Sequence, residues 1–299
     1  MKKVNLGIIG AGNHFKKNII HVLKKINNIN RIEIYKRNTE EKFFSKNFDI
    51  IYISCDTGLH EYYISKCLEN NINVMCEKPL STNYKKFMKL IKLASKRNLL
   101  IFECFMYRYH KVFRLLRKHL KNKRIKYIYS AFKIPGLDKK NFRYSAKNGG
   151  FFWDTAVYPI SLESFLVKSK EKLNIKSSMI NKGVSSIGNI NIVDKKSERF
   201  YKWGENQKYE NSIEIITNKE TIYINKFFSK KKNEEILFEM YNRGKNKSFK
   251  IIDDQFYNMF NIVLKNFNNN NFKKIKIKEI KNHFILCNKI LRKSKKVII

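Results

Sequence analysis

At about 100–200 residues per domain, the 299 residues of this chain predict two domains, each long enough for a sizeable core. Hydrophobic residues make up 43% of the sequence, and there are only 11 Gly and 3 Pro, which argues against wholesale disorder, a collagen-like fold and a long linker. The formal net charge of +38 would favour a nucleic-acid or membrane partner if the cations gathered on one face. Because Lys is scattered through nearly every segment beside Asn and Ile, we interpret the charge as a compositional bias, with anionic partners as the open alternative.

Cysteine usage and hydropathy indicate a reducing compartment. The five cysteines are odd in number and contain no Cys-x-x-Cys pair, so we expect neither a disulfide framework nor a metal site. The apolar run that follows Lys2 and Lys3 is interrupted by Gly7 and Gly10, which makes it too short for a signal peptide. No segment approaches the roughly 20 apolar residues of a membrane span. We therefore expect a cytoplasmic protein with no membrane partner.

In the first third of the chain, short apolar runs alternate with helical patterns. The candidate strands, rich in Ile, Val and Tyr, are residues 4–9, 31–35, 49–54, 73–76 and 99–103. Such runs are typical of strands that are buried on both faces of a parallel sheet. The β-α-β-α-β order predicts an α/β fold with an N-terminal Rossmann domain, a doubly wound parallel sheet, over residues 1–120.

The pattern changes after about residue 122. Segments 125–133, 212–217, 221–228 and 236–241 alternate apolar with polar residues, as antiparallel strands with one solvated face do. Helices are predicted at 154–167 and 253–267, and the Asn- and Lys-rich run 266–274 is predicted to be a solvated loop. Residues 121–299 are therefore predicted to form an α+β domain with an open, mostly antiparallel sheet.

The first predicted strand ends in a glycine-containing turn that precedes an amphipathic helix. A Gly-x-Gly turn in this position lets the backbone approach a pyrophosphate, which then lies on the amide groups of the helix N-terminus. Phe15 stands where the fingerprint has a third small residue, and an ordinary tight turn is the alternative. The predicted cofactor contacts in this turn are Gly10, Ala11, Gly12, Asn13 and His14.

The second predicted strand ends in two cations, Lys36 and Arg37, about 25 residues after the glycine turn. Enzymes that prefer NAD commonly place Asp or Glu here to accept from the ribose 2′-hydroxyl, whereas a cation suits the 2′-phosphate of NADP. We therefore predict NADP as the preferred cofactor, with NAD as the second choice. The alternative is that both residues are ordinary surface cations of a Lys-rich chain.

Glu77 and Lys78 follow the fourth predicted strand. Ligands of doubly wound sheets bind outside the carboxyl ends of the strands, so a lysine at this end can act as an acid or base toward a ligand. A Glu-Lys-Pro-Leu tetrapeptide alone would mean little. Its position in a sheet that begins with Gly-x-Gly makes Lys78 a candidate catalytic residue and Glu77 a candidate cofactor contact.

These motifs, in this order, resemble the glucose-fructose oxidoreductase and inositol dehydrogenase (Gfo/Idh/MocA) family. The similar segments are GIIGAGN (7–13), TGLH (57–60), EKPL (77–80), FMYRYH (105–110), GGFFWDTAVYP (149–159) and DQF (254–256). The resemblance covers about residues 4–270. It implies a two-domain NAD(P)-dependent oxidoreductase that transfers hydride between the nicotinamide and a carbinol or ketone carbon of a sugar or nucleotide sugar. It further implies a homo-oligomer formed through the C-terminal sheet.

The resemblance also implies roles for individual residues. Lys78 matches the catalytic lysine of the family, which contacts the nicotinamide ribose and the substrate oxygen. Asp154 and Tyr158 match its Asp and its His-or-Tyr, and a spacing of four places them on one face of a helix. With tyrosine at this position, the sequence is more similar to the nucleotide-sugar ketoreductases of the family, in which the phenol exchanges the proton. Asp154 would then position the substrate.

Thr57 and His60 are further candidate cofactor contacts, and Arg108 and Arg143 are further candidate substrate contacts. The sequence departs from the family pattern at Cys55-Asp56, where Thr-Pro is usual. Simpler alternatives remain, because the Asp of the pair could cap a helix and the Tyr could be a core residue. Two other functions also stay open. One is a cofactor-binding regulator without turnover, and the other is a basic nucleic-acid-binding protein, which we disfavour for want of a recognised binding motif.

Overall fold

A computed structural model of the chain describes residues 3–36, 38–138, 140–145, 148–167, 172–182 and 184–298. It forms two compact units. The first contains the chain up to Phe105 together with Phe256–Asn282, and the second contains Met106–Gln255 together with the residues from His283 onward. Within the described ranges, no helix is both long and apolar enough to cross a membrane.

Short strands and helices alternate up to Phe105. The strands are β1 (Val4–Ile9), β2 (Ile29–Ile34), β3 (Ile50–Ile53), β4 (Asn73–Cys76) and β5 (Ile101–Glu103). The helices are α1 (Ile20–Leu23), α2 (Glu40–Phe44), α3 (Thr57–Glu69) and α4 (Tyr84–Lys96). A π-helical turn at Phe15–Ile19 leads into α1.

The rest of the chain is richer in strands. Its first part contains α5 (Lys111–Leu120), β6 (Ile125–Lys133), α6 (Val157–Leu162), β7 (Asn174–Lys182), β8 (Val184–Val193) and β9 (Glu198–Gly204). There follow β10 (Glu210–Thr217), β11 (Thr221–Asn225), β12 (Ile236–Asn242), β13 (Lys245–Ile251), α7 (Gln255–Asn266), α8 (Asn270–Lys293) and β14 (Lys295–Ile298).

The sheet of the first unit is parallel, with the order β2-β1-β3-β4-β5. Every residue of β3 and β4 is buried, because their Ile, Val, Met and Tyr side chains are covered on both faces of the sheet. At the edge, β2 leaves Ile32 and Ile34 exposed. The predicted doubly wound parallel domain is confirmed.

Helix α4 shows why the crossover segments are helical. Its buried residues Phe87, Leu90, Ile91 and Ala94 recur every three or four positions and form one apolar stripe. The helix begins where the Asn83 side chain accepts a hydrogen bond from the backbone N–H of Lys86 at 3.1 Å. Asn is a preferred N-cap because it satisfies one of the unpaired amides of the first turn.

The sheet of the second unit has the order β13-β12-β11-β10-β6-β9-β8-β7-β14. Its strands are antiparallel except for the pairs β6–β9 and β7–β14. Along β8, buried and less buried residues alternate, so one face of the strand is covered and the other is more open. The strand contacts the helical turn Phe152–Ala156. This sheet confirms the predicted α+β architecture.

The compact units differ from the predicted division at residue 120. The first unit ends at Phe105, because residues of the following 3₁₀ turn pack within the second unit: the Tyr107 hydroxyl bonds to Ser161, and the Arg108 guanidinium lies 3.6 Å above the ring centre of Phe165. The first unit also includes α7, whose Phe260 ring packs edge-on against Tyr52 of β3 at 5.0 Å between centroids.

The predicted loop at 266–274 is wrong, because α8 already begins at Asn270. The Asn269 side chain accepts a hydrogen bond from the backbone N–H of Phe272 at 2.9 Å, so the asparagine run supplies a helix cap. Lys273, which we expected to be solvated, is buried and donates from Nζ to the carbonyl of Asn98 at 2.8 Å.

Candidate active site

The glycine turn after β1 has one tightly packed glycine and one open one. Gly10 has a φ of +92°, and a Cβ added there would lie 2.3 Å from the backbone nitrogen of Cys55. A Cβ added at Gly12 would meet no atom within 4 Å. The exposed turn residues Gly12 and Asn13 are followed by the helical segment that starts at Phe15. The first glycine is therefore required by packing, while the second leaves room for a ligand beside the start of the helix.

His14 at this turn faces the partly buried carboxylate of Glu77. The distance from His14 Nε2 to Glu77 Oε1 is 3.4 Å, and the Tyr52 hydroxyl donates to the same carboxylate oxygen at 2.8 Å. Burial alone would lower the pKa of His14, but the negative charge of Glu77 and the hydrogen bond to its carboxylate together outweigh burial and raise that pKa above its usual value. Burial correspondingly opposes ionisation of Glu77, but His14 and the hydrogen bonds lower its pKa overall. The pair places a group that readily becomes cationic beside the glycine turn.

We expect this pair to stabilise the fold most at mildly acidic pH. A raised His14 pKa contributes stability below its usual value of 6.5, which is lost as the pH rises through the raised pKa. A lowered Glu77 pKa contributes stability above pH 4.5, and this stability is lost as the pH falls through the lowered pKa. The wild-type protein should therefore melt at a higher temperature than the His14→Gln variant. The difference between the two melting temperatures should be larger at about pH 5.5 than at about pH 8.5. His21→Gln, at an exposed histidine of α1, is the control. An equal difference at both pH values would contradict the assigned pairing.

The end of β2 carries the two predicted NADP contacts. Lys36 is exposed, and its backbone carbonyl accepts from the Thr39 hydroxyl at 2.7 Å. Arg37 lies outside the described residues. The nearest acids are already engaged: Glu33 pairs with Lys46, and Glu40 accepts from the Tyr62 hydroxyl at 2.6 Å. Neither carboxylate is presented as the free acceptor that a ribose 2′-hydroxyl would need.

His60 joins the loops that follow β3 and β4. Its side chain is buried, with Nδ1 2.8 Å from the carbonyl oxygen of Pro79 and Nε2 2.9 Å from that of Cys55. Burial lowers the pKa of His60, and a neutral imidazole has one N–H, so only one of these contacts can be a donated hydrogen bond at a time. The structure thus places His60 against backbone groups next to the partly buried Lys78, while Thr57 begins α3 and is half-buried.

The predicted helix at 154–167 is observed as α6 flanked by two π-helical turns, Phe152–Ala156 and Glu163–Val167. Single π turns inserted in helices are frequent at functional sites. Asp154 lies in the first turn and accepts from Arg143 Nε through Oδ2 at 2.6 Å. The structure therefore brings together two residues predicted separately as substrate contacts.

Tyr158 is 5% exposed and lies in an aromatic cluster of the second unit. Its ring centre is 4.8 Å from that of Phe132 and 5.6 Å from that of Phe228. The hydroxyl donates to the sulfur of Met106 at 3.6 Å, and a thioether is a weak acceptor. The rigid ring surroundings fix where the phenol points.

A buried ion pair anchors the same helical segment. Glu163 accepts from Nε of the fully buried Arg199 at 2.9 Å and from the Tyr201 hydroxyl at 2.5 Å. Arg199 also donates to Asp194 Oδ2 at 2.8 Å. Breaking such a pair leaves an uncompensated buried charge, which makes the position of the segment costly to change.

Two further residues contact the candidate site, and the sequence interpretation did not assign them a role there. The Tyr52 hydroxyl donates a hydrogen bond to Glu77. In the sequence, the indication of this role is that Tyr52 is the lone hydroxyl-bearing residue within the apolar strand IIYI. Met106 contacts the Tyr158 hydroxyl and lies within the FMYRYH segment that carried the resemblance. Arg108 was predicted as a substrate contact, and its guanidinium stacks on Phe165 inside the second unit. No group of three His, Cys, Asp or Glu residues suited to a metal ion occurs in the described ranges.

Comparisons with known proteins agree with the resemblance. Residues 38–105 match the family model described as Gfo/Idh/MocA, oxidoreductase family, NAD-binding Rossmann fold. A dTDP-3,4-didehydro-2,6-dideoxy-alpha-D-glucose 3-reductase of Saccharopolyspora spinosa is 32% identical over 117 residues, 38% of this chain and 35% of that protein. A trans-1,2-dihydrobenzene-1,2-diol dehydrogenase of Xenopus laevis is 28% identical over 135 residues, 44% of this chain and 41% of that protein. The matches span about two fifths or less of these relatives.

Solved structures confirm the fold. The 3-ketoreductase KijD10 from Actinomadura kijaniata, solved with NADP and TDP-benzene, superposes with a TM-score of 0.90 and 19% identity over 100% of both chains. An aldose-aldose oxidoreductase from Caulobacter crescentus gives a TM-score of 0.82 at 13% identity, over 98% of this chain and 97% of that one. At these identities the likeness establishes the arrangement of strands and helices.

Proposed function

Because the chain matches the Gfo/Idh/MocA oxidoreductase family over residues 38–105, we propose that it is an NAD(P)-dependent oxidoreductase. Hydride would pass between the nicotinamide and a carbinol or ketone carbon of a sugar, preferably a nucleotide-activated one. The observation that carries this proposal is the turn after β1, where Gly12 leaves open space beside the start of a helix. Such a turn suits a pyrophosphate, which needs close backbone approach.

We propose NADP as the preferred cofactor. Gly10, Ala11, Gly12, Asn13 and His14 would hold its pyrophosphate, and the turn fits because a Cβ at the second glycine position would occupy the space that is open now. Lys36 and Arg37 would bind the 2′-phosphate, since the neighbouring carboxylates are engaged elsewhere. Support also comes from KijD10, which was solved with NADP. Thr57, His60 and Glu77 would complete the nicotinamide side.

The bound cofactor supplies or accepts the hydride, and side chains of this chain handle the proton. In the direction of reduction, the Tyr158 hydroxyl would give its proton to the carbonyl oxygen, and the Lys78 ammonium would stabilise the negative charge that develops there. A carbonyl oxygen is a stronger acceptor for the phenol than the Met106 thioether. Asp154, held by Arg143 at 2.6 Å, would position a sugar hydroxyl.

We propose a nucleotide sugar as substrate because several matched relatives are named as reductases of a dTDP-linked keto sugar. A pyrophosphate-linked substrate also suits a protein of net charge +38, whose field would raise the rate of encounter with anions. Arg108 would be a further substrate contact. None of the five cysteines, all of which the structure describes, forms a disulfide, so we propose that the protein lies in the cytoplasm, where thiols are kept reduced.

We further propose a homo-oligomer that forms through the nine-stranded sheet. On its more open face, the rings of Tyr129 and Phe200 stack at 6.2 Å between centroids. The sheet also carries a hollow of about 370 Å³ whose lining includes Ile187 and Val297. Aromatic residues are enriched in protein interfaces because they bury large areas at low entropic cost.

The proposed activity is tested with dTDP-linked keto sugars and NADPH that carries deuterium at both C4 positions. We expect NADPH to be consumed and one deuterium to appear on the reduced carbon of the sugar product, as read by mass spectrometry. When both cofactors are supplied at the same subsaturating concentration, the turnover rate with NADH should be at least tenfold lower than with NADPH. A tenfold difference corresponds to ~1.4 kcal/mol of binding free energy from the 2′-phosphate. Tight NADPH binding without turnover on any keto sugar would instead favour a catalytically silent regulator.

The cofactor assignment has its own control. Lys36→Ala/Arg37→Ala should weaken NADPH binding and leave NADH binding within about twofold, whereas Lys245→Ala/Lys247→Ala on exposed β13 removes the same charge elsewhere. Equal losses in both pairs would attribute the effect to overall charge. If neither cofactor bound the wild-type protein, the oxidoreductase proposal would fail, and tight, salt-sensitive DNA binding would then favour the nucleic-acid alternative.

A further inference from the structure

A second concave surface lies in the first unit, between the end of α4 and the start of α8. We call it the α4–α8 groove; its cavity volume is about 430 Å³. Helix α8 lines it with Lys273, Lys274, Ile277, Lys278 and Lys281. Pockets of roughly 300–1,000 Å³ are the usual size for small-molecule sites, so the groove is large enough for a metabolite.

The groove is separate from the proposed cofactor site. Gly10 and Lys78 follow the carboxyl ends of β1 and β4. The groove instead includes Asn98 and Leu99, which come just before β5 begins at Ile101. In a parallel sheet, all strand beginnings lie at one edge and all strand ends at the other. A ligand in the groove would therefore sit at the opposite edge of the sheet from the glycine turn.

The charges that line the groove all have one sign. The lining contains Lys273, Lys274, Lys278 and Lys281 and no Asp or Glu. Lysines 274 and 278 are four apart on one helix, and like charges at this spacing destabilise a helix. Among the ion pairs of the described residues, none includes Lys274, Lys278 or Lys281. An anion bound in the groove would relieve this repulsion.

This concentration of charge exceeds the general bias of the chain. Helix α8 has eight Lys and Arg and one Glu in 24 residues, a net charge of +7, which per residue is more than twice the average of a chain with +38 over 299 residues. The one carboxylate, Glu279, is engaged by Lys276 at 3.0 Å and does not line the groove. The scattered lysines of the rest of the sequence therefore do not account for the groove.

One lysine of the groove is already held in place. Lys273 is 7% exposed, its Nζ donates to the Asn98 carbonyl at 2.8 Å, and burial lowers its pKa. The hydroxyl of Ser95 and the amide of Asn282 add neutral donors to the lining, and Ile277 adds an apolar surface. Neutral donors beside several lysines, of which Lys274 and Lys278 are exposed, are the combination that binds phosphate oxygens.

We propose that the α4–α8 groove binds a small anion with two or more phosphate groups. Several lysines within one groove match several phosphate oxygens, and a single carboxylate would leave most of the lysines unpaired. The proposal depends on the groove alone and stands or falls independently of the oxidoreductase activity.

The test is calorimetric titration of the full chain with inorganic tripolyphosphate, with and without NADPH. We expect saturable binding that Lys274→Gln/Lys278→Gln weakens at least tenfold and that Lys274→Arg/Lys278→Arg retains. The matched control, Lys245→Gln/Lys247→Gln on β13, removes the same charge and should bind within about twofold of wild type. Binding that persists in the groove variant but disappears with NADPH would assign it to the glycine turn and overturn the proposal.

A chemical readout tests the same point without relying on affinity. Tripolyphosphate should protect the exposed Lys274 and Lys278 from acylation at mildly alkaline pH, as followed by peptide mass spectrometry, and leave the exposed Lys245 unprotected. Absence of saturable binding, or equal losses in both variant pairs, would refute the site. Tighter binding of a DNA duplex that depends on Lys274 and Lys278 would overturn the small-molecule ligand in favour of nucleic acid.

Discussion

Lys78→Met is expected to reduce kcat for the keto-sugar reaction by about 10²- to 10⁴-fold, the range in which a positioned acid, base or charge contributes to a chemical step. Methionine keeps the length of the side chain but removes the ammonium that would stabilise the developing oxyanion. Lys78 is only partly buried, so the fold should persist. The NADPH dissociation constant should change by at most about tenfold, the value of one lost hydrogen bond.

Lys85→Met is the matched control, because this exposed lysine of α4 lies outside the proposed site. Its kcat should stay within about twofold of wild type. Tyr158→Phe supplies a second comparison, since it removes the phenol and keeps the ring that packs on Phe132 and Phe228. If Lys78→Met retained full kcat while Tyr158→Phe lost it, proton handling by Tyr158 alone would replace the shared role.

Gly10→Ala is expected to destabilise the fold by about 3 kcal/mol or more, a large part of the 5–15 kcal/mol that a domain has. The new Cβ would meet the Cys55 nitrogen at 2.3 Å, and the backbone φ of +92° is one that residues with a Cβ rarely adopt. Relief would require the end of β1 to move from the end of β3. Urea denaturation should show a lower midpoint.

Gly12→Ala is the control for this substitution. A Cβ there meets no atom within 4 Å, so stability should change by less than about 1 kcal/mol. NADPH binding should nevertheless weaken, because the methyl group fills the space proposed for the pyrophosphate. A stable Gly10→Ala protein would contradict the packing of the turn, and an unchanged cofactor affinity in Gly12→Ala would contradict its role in binding.

The sequence predicted those parts of the fold that depend on local pattern. β1, β4 and β6 occur at the predicted residues. Apolar runs indicate strands buried on both faces, and alternation of apolar with polar residues indicates strands buried on one face. The helix that starts at Asn270 was mistaken for a loop, since its first residues are polar. What identifies it is the Asn269 cap and the buried Ile280 and Phe284, farther along the chain.

The candidate site was predicted mainly from motif order, and its contacts were not. The Arg143–Asp154 pair joins residues from a 3₁₀ turn and a π turn, and no periodicity in the sequence indicates that they meet. The same holds for Tyr52 and Glu77, which are 25 residues apart. Contacts of this kind depend on how elements pack, which local pattern does not encode.

The return of α7 to the first unit bears on how the protein folds during its synthesis. Met259, Phe260 and Val263 of this helix are buried, and Phe260 covers Tyr52 of the parallel sheet. At about 5–20 residues per second, the ribosome needs on the order of ten seconds to add Met106–Gln255 before α7 emerges. Throughout that interval the nascent sheet lacks one of its covering helices, so its apolar surface is the part of the chain on which a chaperone would act.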